Sequence, residues 1–303
     1  MFGWWKRRKE RKELQRDIEY INQNIAPFYT TFYIKKKSGG SRTIKAPADE
    51  LKALQTKLVK RYFFGLPVSR AAHGFVRKRS IFTCAMHHCR KRVVIAMDIR
   101  EFFPSITREM LERFVERHVA DLARYPELKS QVLDMLTHDG SLPQGSPASP
   151  TIANAIFYEI DQQLVALAKR YHVTYTRYAD DLFFSTRGTV DIAGISVAVE
   201  AVLRHHGFLV NRKKMRVMRQ SNRQVVTGLV VNGSKPHVGR TRLRNLRAAI
   251  HLLEREFRAS GPGSPSLEQL LRQVQGRVAF YSMINPDKIA PCRARLDCLT
   301  QLH

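Results

Sequence analysis

The sequence predicts an α+β protein whose body extends through residue 235 and is followed by a smaller segment made only of helices. Short runs of β-branched and aromatic residues, bounded by glycine and proline, alternate with longer segments whose apolar residues recur at helical spacing. From residue 236 onward only helical patterns remain. With 303 residues, of which 44% are hydrophobic, the chain is long enough to bury a substantial core.

The first part of the sequence predicts a helix on either side of a β-hairpin. Residues 1–26 carry apolar side chains at helical spacing in an otherwise basic segment, so we expect a helical extension there. A strand over 30–34, a basic turn containing Gly39 and Gly40, and a second short strand follow. The next helix is expected over 48–64, where a Gly-Leu-Pro sequence ends it.

The middle of the chain predicts a central strand and the longest helix. A buried strand is expected over 92–98, because an apolar run ends there in an acid. Helices are expected over 107–120 and 127–137. The loop 142–150 then opens a long helix with an apolar stripe. This stripe consists of Ile152, Ile156, Ile160, Leu164 and Leu167.

A second β-hairpin is expected over 173–186, with the adjacent acids Asp180 and Asp181 at its tip. A helix over 192–206 and short strands over 208–210, 215–218 and 225–231 are expected after it. Three helices are expected to follow these strands. The first begins near 240, the second at the capping-box sequence 266–269 and the third after Pro286. Arginines flank the apolar stripe of the first of these three helices.

The charge balance points to a polyanionic partner. The chain has 52 Lys and Arg against 26 Asp and Glu, a net charge of +26. Such an excess repels itself unless a polyanion neutralises it, so nucleic acid is the leading candidate. A membrane surface is the weaker alternative, because the basic residues are spread along the chain. There is no disulfide framework, signal peptide or apolar run of ~18 residues, so we expect a cytoplasmic protein without a membrane partner.

The adjacent acids Asp180 and Asp181 have two interpretations. An Asp-Asp pair is a common turn sequence. Two carboxylates at the end of a largely apolar hairpin also repel each other unless a cation lies between them. Asp98 ends the central strand, where its side chain leaves the sheet and can meet the tip of a neighbouring hairpin. The three acids would then hold two divalent ions for phosphoryl transfer, and Mg²⁺ suits such an all-oxygen site.

Three segments resemble motifs of reverse transcriptases, in the order that the family has. The sequence Tyr178-Ala179-Asp180-Asp181 resembles the catalytic box, residues 97–106 resemble the first catalytic motif, and residues 142–150 resemble the loop that contacts template and nucleotide. The segments 72–75 and Val226-Thr227-Gly228 resemble motifs of the retron group of bacteria. The resemblance covers residues 30–285.

One departure from the retron pattern lies ahead of the central strand. Retron enzymes usually carry Asn-Ala-x-x-His there, whereas this chain has Cys84-Ala-Met-His-His88, so Cys84 replaces the asparagine. A thiol is a weaker hydrogen-bond partner than an amide, which puts the asparagine's contact in doubt. Cys84, His87, His88 and Cys89 also suggest zinc, although their spacing matches no standard zinc finger.

The resemblance implies a right-hand polymerase fold, with an antiparallel sheet packed on helices. Residues 1–29 would form a basic helical extension and 30–91 the fingers. Residues 92–235 would form the palm, with a fingers insertion around 107–147, and 236–303 a small helical thumb.

The resemblance also implies roles for individual residues. Asp98, Asp180 and Asp181 would hold two Mg²⁺ ions, with Mn²⁺ as a substitute. Lys214 would be the general acid for the pyrophosphate leaving group, with Lys213 as its rival, and Phe103 would select deoxynucleotides by excluding the 2′-hydroxyl. The other nucleotide-binding residues would be Arg42, Lys45, Gln144, Gly145 and Tyr178, and the RNA-recognition residues would be His88, Val226, Thr227, Gly228, Arg240, Arg244 and Arg247. Solvated surface charge stays open as an alternative for Arg42, Lys45 and the thumb arginines.

The implied function is RNA-directed DNA synthesis of the retron type, used in anti-phage defence. The implied partners are dNTPs, a cognate structured noncoding RNA and its branched RNA–DNA product, an effector or toxin protein encoded nearby, and a host ribonuclease H that acts on the template. One alternative is a group II intron-like or diversity-generating reverse transcriptase, for whose further regions the sequence after the thumb is too short. Another is a non-catalytic RNA-binding scaffold that restrains an effector, against which the three intact acids argue.

Overall fold

The computed structural model of the chain describes residues 13–35, 39–260 and 265–301, without the side chains of Arg42, Ser260, Thr300 and Gln301. The chain forms two compact units. Unit 1 comprises Met1–Lys78, Ala96–Phe184 and Val190–Arg216, and unit 2 comprises Arg79–Ile95, Ser185–Thr189 and Val217–His303. Residues 1–12 of the predicted N-terminal helix lie outside the described residues.

The described residues contain helices and short strands in alternation. The helices are α1 (13–22), α2 (Asp49–Tyr62), α3 (Ile81–Met86), α4 (Arg108–His118), α5 (Ala120–Ala123), α6 (Pro126–Leu136), α7 (Ser149–Arg170), α8 (Ile192–His205), α9 (Arg240–Ser260), α10 (Pro265–Ser282) and α11 (Pro286–Gln301). The strands are β1 (Tyr29–Lys35), β2 (Ser41–Pro47), β3 (Val93–Asp98), β4 (Thr174–Tyr178), β5 (Asp181–Thr186), β6 (Arg216–Arg219), β7 (Val225–Val226) and β8 (Leu229–Val230). The predicted α+β class is confirmed.

The first hairpin of unit 1 forms as predicted. Strands β1 and β2 pair antiparallel, with Tyr29 opposite Pro47 and Lys35 opposite Ser41. Gly39 and Gly40 both have positive φ, which glycine adopts without the steric cost that a side chain would add. Helix α2 follows directly and buries the leucines of its apolar stripe.

The core of unit 1 is organised around α7. This helix is buried along most of its length, because its apolar stripe is wide and Ala153 and Ala155 are buried beside it. The ring of Phe157 on α7 lies 5.1 Å from that of Phe102 and 4.7 Å from that of Phe208, in edge-to-face contacts that aromatic pairs favour. These contacts anchor the segment that follows β3.

The largest sheet has four strands in the order β4–β5–β3–β6. All six residues of β3 are buried, which agrees with the continuous apolar run that predicted it. The β4–β5 hairpin turns through Ala179 and Asp180, and Ala179 has a φ of 54°. The prediction of a strand over 208–210 is wrong. In the part of the chain that the structure describes, this segment forms a single bridge, between Val210 and Ile99.

Unit 2 contains a correction to the predicted strand over 225–231. This segment is two short antiparallel strands, β7 and β8, joined by Thr227 and Gly228. Their φ angles of 48° and 82° reverse the chain within two residues, and a turn of this kind is not visible as a break in an apolar run.

Helices α9, α10 and α11 of unit 2 pack around one hydrophobic core. Leu246, Ile250 and Leu253 of α9 are buried there, as the predicted stripe requires. Helix α10 begins at Pro265, so Ser266 lies inside its first turn instead of capping it. No helix among the described residues is long and apolar enough to cross a membrane.

Candidate active site

Three carboxylates converge where β3 ends and the β4–β5 hairpin turns, and we call Asp98, Asp180 and Asp181 the acidic corner. Asp98 is the last residue of β3 and is 8% exposed. The backbone N–H of Ile99 donates to the carbonyl of Asp180 over 2.9 Å, which ties the two elements together. The prediction that these acids come together is consistent with this geometry, because both segments end at the same edge of the sheet.

The charges of the acidic corner are incompletely compensated. The pKa of Asp181 is raised to about 7, first by burial and then by the negative charges of Asp180 and Asp98. Arg216 and Lys214 oppose this effect. A cation among the three carboxylates would stabilise their ionised forms.

Lys214 supplies part of that positive charge. Its Nζ donates to Oδ2 of Asp98 over 2.9 Å, although half of the Lys214 side chain is exposed. The 3₁₀ turn Arg212–Lys214 carries it, and the preceding Asn211 N–H donates to the Asp98 carbonyl over 2.7 Å. Lys214 is therefore the lysine that the structure brings to the acids, whereas the side chain of Lys213 is exposed.

The donor set of the acidic corner suits a hard divalent cation, because it consists of carboxylate oxygens in a half-buried setting. In the side-chain positions of the described ranges, no three His, Cys, Asp or Glu residues form a group that could hold a metal ion. An ammonium group already lies against one of the Asp98 oxygens, so a metal ion would compete with Lys214 for that oxygen.

A buried polar network adjoins the acidic corner through the carbonyl of Ala179, and no motif in the sequence pointed to it. Arg177 of β4 and Asp161 of α7 are both fully buried and form an ion pair. Asn154 accepts from the same guanidinium and donates to the carbonyl of Gly74 over 3.0 Å. The available signal was an arginine at an inward position of an apolar strand and an aspartate within the apolar stripe of a helix.

Phe103, the expected nucleotide gate, lies half-buried five residues after Asp98. Its ring centroid is 5.3 Å from that of Phe102 and 6.2 Å from that of Phe75. Phe75 is 54% exposed and has a φ of 60°, which is rare for a bulky residue. The structure therefore places a second aromatic side chain beside the predicted gate.

The loop expected to contact nucleotide is held against the β1–β2 hairpin. The N–H of Lys45 donates to the carbonyl of Gln144 over 2.9 Å. Gly145 has a φ of 123°, and a Cβ there would stand 2.9 Å from the Lys45 carbonyl, so the close approach requires glycine. The Lys45 side chain forms an ion pair with Asp139. The Arg42 side chain lies outside the described residues.

Residues 34–234 match the family of reverse transcriptases, RNA-dependent DNA polymerases. The chain belongs to this family. It is 38% identical over 92% of its length to the retron Mx162 reverse transcriptase of Myxococcus xanthus. It is 37% identical over 86% of its length to the retron Mx65 reverse transcriptase of the same organism, and 32% identical over 75% to the retron Ec86 reverse transcriptase of Escherichia coli. The match spans 62% of each M. xanthus relative and 70% of the E. coli one. The predicted retron membership and reverse transcriptase fold are confirmed.

In this member of the family, the residues expected to recognise RNA fall into a buried and an exposed group. His88 and Val226 are fully buried, and Nδ1 of His88 lies 2.7 Å from Oγ of Ser185. Direct contact of these two side chains with RNA is therefore not available in this structure, and a role for them would be indirect. Arg240, Arg244 and Arg247 are exposed on α9.

The turn of the Val-Thr-Gly motif is fixed by two contacts in unit 2. The hydroxyl of Thr227 donates to the carbonyl of Ile81 over 2.8 Å. Arg242, which sequence reasoning passed over, donates through Nη1 to the carbonyl of Gly228 over 2.8 Å. Cys84, the replacement for asparagine, is fully buried on α3.

Proposed function

We propose that the chain is an RNA-directed DNA polymerase that copies part of a cognate structured RNA into single-stranded DNA. The observation that carries this proposal is the acidic corner, in which Asp98, Asp180 and Asp181 come together beside Lys214. Family membership supports the same reaction. In this proposal, residues 30–91 form the fingers, 92–235 the palm and 236–303 the thumb.

The acidic corner would hold two Mg²⁺ ions, for which Mn²⁺ can substitute. Bound there, such ions supply charge stabilisation to the attacking and leaving oxygens of phosphoryl transfer. Lys214 would give its proton to the pyrophosphate leaving group, a step that contributes typically 10²–10⁴-fold to a rate. Its place beside Asp98 supports this assignment over Lys213.

The nucleotide would lie against the aromatic and loop residues that surround the corner. Phe103 would exclude the ribose 2′-hydroxyl by its bulk, and Tyr178 at the end of β4 would contribute to the same pocket. Gln144 and Gly145 would line it from the loop. Arg42 and Lys45 would contact the triphosphate. To do so, Lys45 would leave its ion pair with Asp139 and pair with a phosphate instead.

The RNA partner would be bound by the basic surface of the chain. Arg240, Arg244 and Arg247 would follow the phosphate backbone of a duplex, because exposed arginines on one helix neutralise successive phosphates. The product would be a branched RNA-linked DNA, with the template removed by a host ribonuclease H. We propose a role in anti-phage defence together with an effector or toxin protein encoded nearby.

The test is primer extension by the purified chain with the structured RNA encoded next to its gene, dNTPs and Mg²⁺. We expect RNA-linked DNA that a debranching enzyme releases. Asp180→Asn should abolish synthesis but leave RNA affinity unchanged, and the exposed acid variant Asp49→Asn should behave like wild type. Synthesis that survives Asp180→Asn would contradict the site assignment. Synthesis without an RNA-linked product would contradict the retron type alone.

A further inference from the structure

Arg177 is the largest fully buried side chain among the described residues, and it reaches the hairpin that carries two acids of the corner through a hydrogen bond to Ala179. It sits on β4, one residue before Tyr178. Its Nε donates to Oδ1 of Asp161 over 3.0 Å and its Nη2 donates to Oδ2 over 2.8 Å, a two-pronged contact that a planar guanidinium favours. Its Cζ lies 4.7 Å from the ring centroid of Phe157. The guanidinium is therefore held rigidly.

The third guanidinium nitrogen, Nη1, points to the β4–β5 turn at Ala179 and Asp180, which we call the catalytic turn. Nη1 of Arg177 donates to the carbonyl of Ala179 over 3.1 Å. Ala179 is the residue with positive φ that directs the chain into Asp180 and Asp181. A non-glycine residue in this conformation is strained and persists only when its surroundings hold it. The hydrogen bond from Arg177 is one such restraint.

A second line of contacts reaches the same turn through Asn154 and Gly74. Nη2 of Arg177 also donates to Oδ1 of Asn154 over 3.1 Å, and Nδ2 of Asn154 donates to the carbonyl of Gly74 over 3.0 Å. Gly74 is packed so closely on the turn that a Cβ there would stand 2.5 Å from the backbone nitrogen of Ala179. The network thus restrains Ala179 at two points, by a hydrogen bond to its carbonyl and by the close packing of Gly74 against its nitrogen.

Stability alone is a poor explanation for this ion pair. Taking two charges out of water is costly, and well-packed apolar residues in place of a buried pair are often equally stable. What apolar residues cannot do is hold a carbonyl oxygen in one place. The hydrogen bond to the Ala179 carbonyl is the contact of Arg177 that points toward the reacting groups.

We propose that Arg177 is a positioning residue for the polymerase reaction. By fixing the Ala179 carbonyl, it sets the direction in which the Asp180 and Asp181 carboxylates leave the hairpin. Asp161 and Asn154 hold the guanidinium in the required orientation. The inference deepens the proposed function and rests on it for its kinetic consequences, while the position of the turn is measurable without catalysis.

The decisive variant removes the network without leaving a buried charge. Arg177→Met and Asp161→Leu are combined with Tyr175→Phe, because the Tyr175 hydroxyl donates to Asp161 over 2.8 Å and would lose its acceptor. The matched control is Lys52→Gln with Asp49→Asn, an exposed ion pair of 2.9 Å on α2. A second variant, Arg177→Lys, keeps the charge but lacks the planar fork.

We expect the triple variant to melt within about 5 °C of wild type, because the charges are removed together. Its rate at saturating dNTP should fall on the order of 10²-fold, as for misplaced catalytic groups. The Mg²⁺ concentration for half-maximal rate should rise about 10-fold, and the Ile99 amide, which bonds to Asp180, should exchange its hydrogen faster. Arg177→Lys should show the same changes to a smaller degree, and the control none.

Several outcomes would overturn the inference. A stable triple variant with a wild-type rate, Mg²⁺ requirement and Ile99 exchange would show that Arg177 serves only the core. If the triple variant does not fold, the test passes to Arg177→Lys. A folded Arg177→Lys variant with the wild-type rate, Mg²⁺ requirement and Ile99 exchange would then overturn the inference. A wild-type chain without polymerase activity would refute the proposed function, and unchanged Ile99 exchange in the variants would then refute the positioning role separately.

Discussion

Gly74→Ala is expected to damage catalysis by displacing the catalytic turn. The added Cβ would stand 2.5 Å from the nitrogen of Ala179 and 3.2 Å from the carbonyl carbon of Tyr178. An ordinary contact between such atoms is about 3.5 Å, so one of the two segments must retreat by about 1 Å. Both are backbone, and neither can swing aside as a flexible side chain would.

The size of the effect follows from that displacement. Gly74 is held by Asn154 and Ala179 by Arg177, so the retreat is shared by segments that are both fixed. Overpacking of this kind costs about 1–3 kcal/mol of unfolding free energy. A misplacement of about 1 Å in an active site lowers a rate on the order of 10²-fold. We therefore expect a folded enzyme that is about 10²-fold slower.

The assay is single-nucleotide incorporation at saturating dNTP, together with RNA affinity and chemical denaturation. RNA affinity should not change, because Gly74 is buried. Gly65→Ala is the matched control, since no atom lies within 4 Å of its added Cβ and its φ is not positive. A Gly74→Ala enzyme with the rate of Gly65→Ala would refute the argument that this contact fixes the turn.

Two further substitutions test other parts of the site. Lys214→Ala should slow single-turnover incorporation by about 10²–10⁴-fold, more than Lys213→Ala does, because Lys214 is the lysine beside Asp98; the reverse ranking would assign the general acid to Lys213. Gly228→Ala should lower the unfolding free energy of unit 2 by about 1–2 kcal/mol in chemical denaturation, because its φ is +82° and the Arg242 guanidinium lies 3.2 Å from the added Cβ. Gly233→Ala is the control, because the nearest atom to its added Cβ is 3.8 Å away, and it should not change the unfolding free energy. An equal loss of unfolding free energy in both variants would show that backbone conformation at Gly228 is not the cause of the loss.

The acidic corner was predictable because its geometry follows from local sequence. An apolar run that ends in Asp98 predicts a strand end, and a hairpin with Asp180 and Asp181 at its tip predicts a second group of acids. Both patterns lie within short segments. Where strand ends meet at one edge of a sheet, such acids come together.

The network that adjoins the corner was not predictable in the same way. Gly74, Asn154 and Arg177 are far apart in sequence and meet only after α7 packs on the sheet, so no local pattern links them. The two-residue turn in the Val-Thr-Gly motif was missed for a different reason. Val225–Val231 looks like one apolar strand, and Thr227, which has a positive φ at the turn, donates to the carbonyl of Ile81, a residue far away in sequence.

We propose that Asp98, Asp180 and Asp181 together bind the divalent ions that polymerisation requires. Mn²⁺ binding, followed by electron paramagnetic resonance in the presence of RNA and a non-hydrolysable dNTP, tests this claim without relying on turnover. Asp98→Asn and Asp181→Asn should each weaken Mn²⁺ binding by at least about 10-fold, because each removes a charged oxygen ligand. The exposed-acid variant Asp49→Asn should bind like wild type. Undiminished Mn²⁺ affinity in both corner variants would contradict the claim.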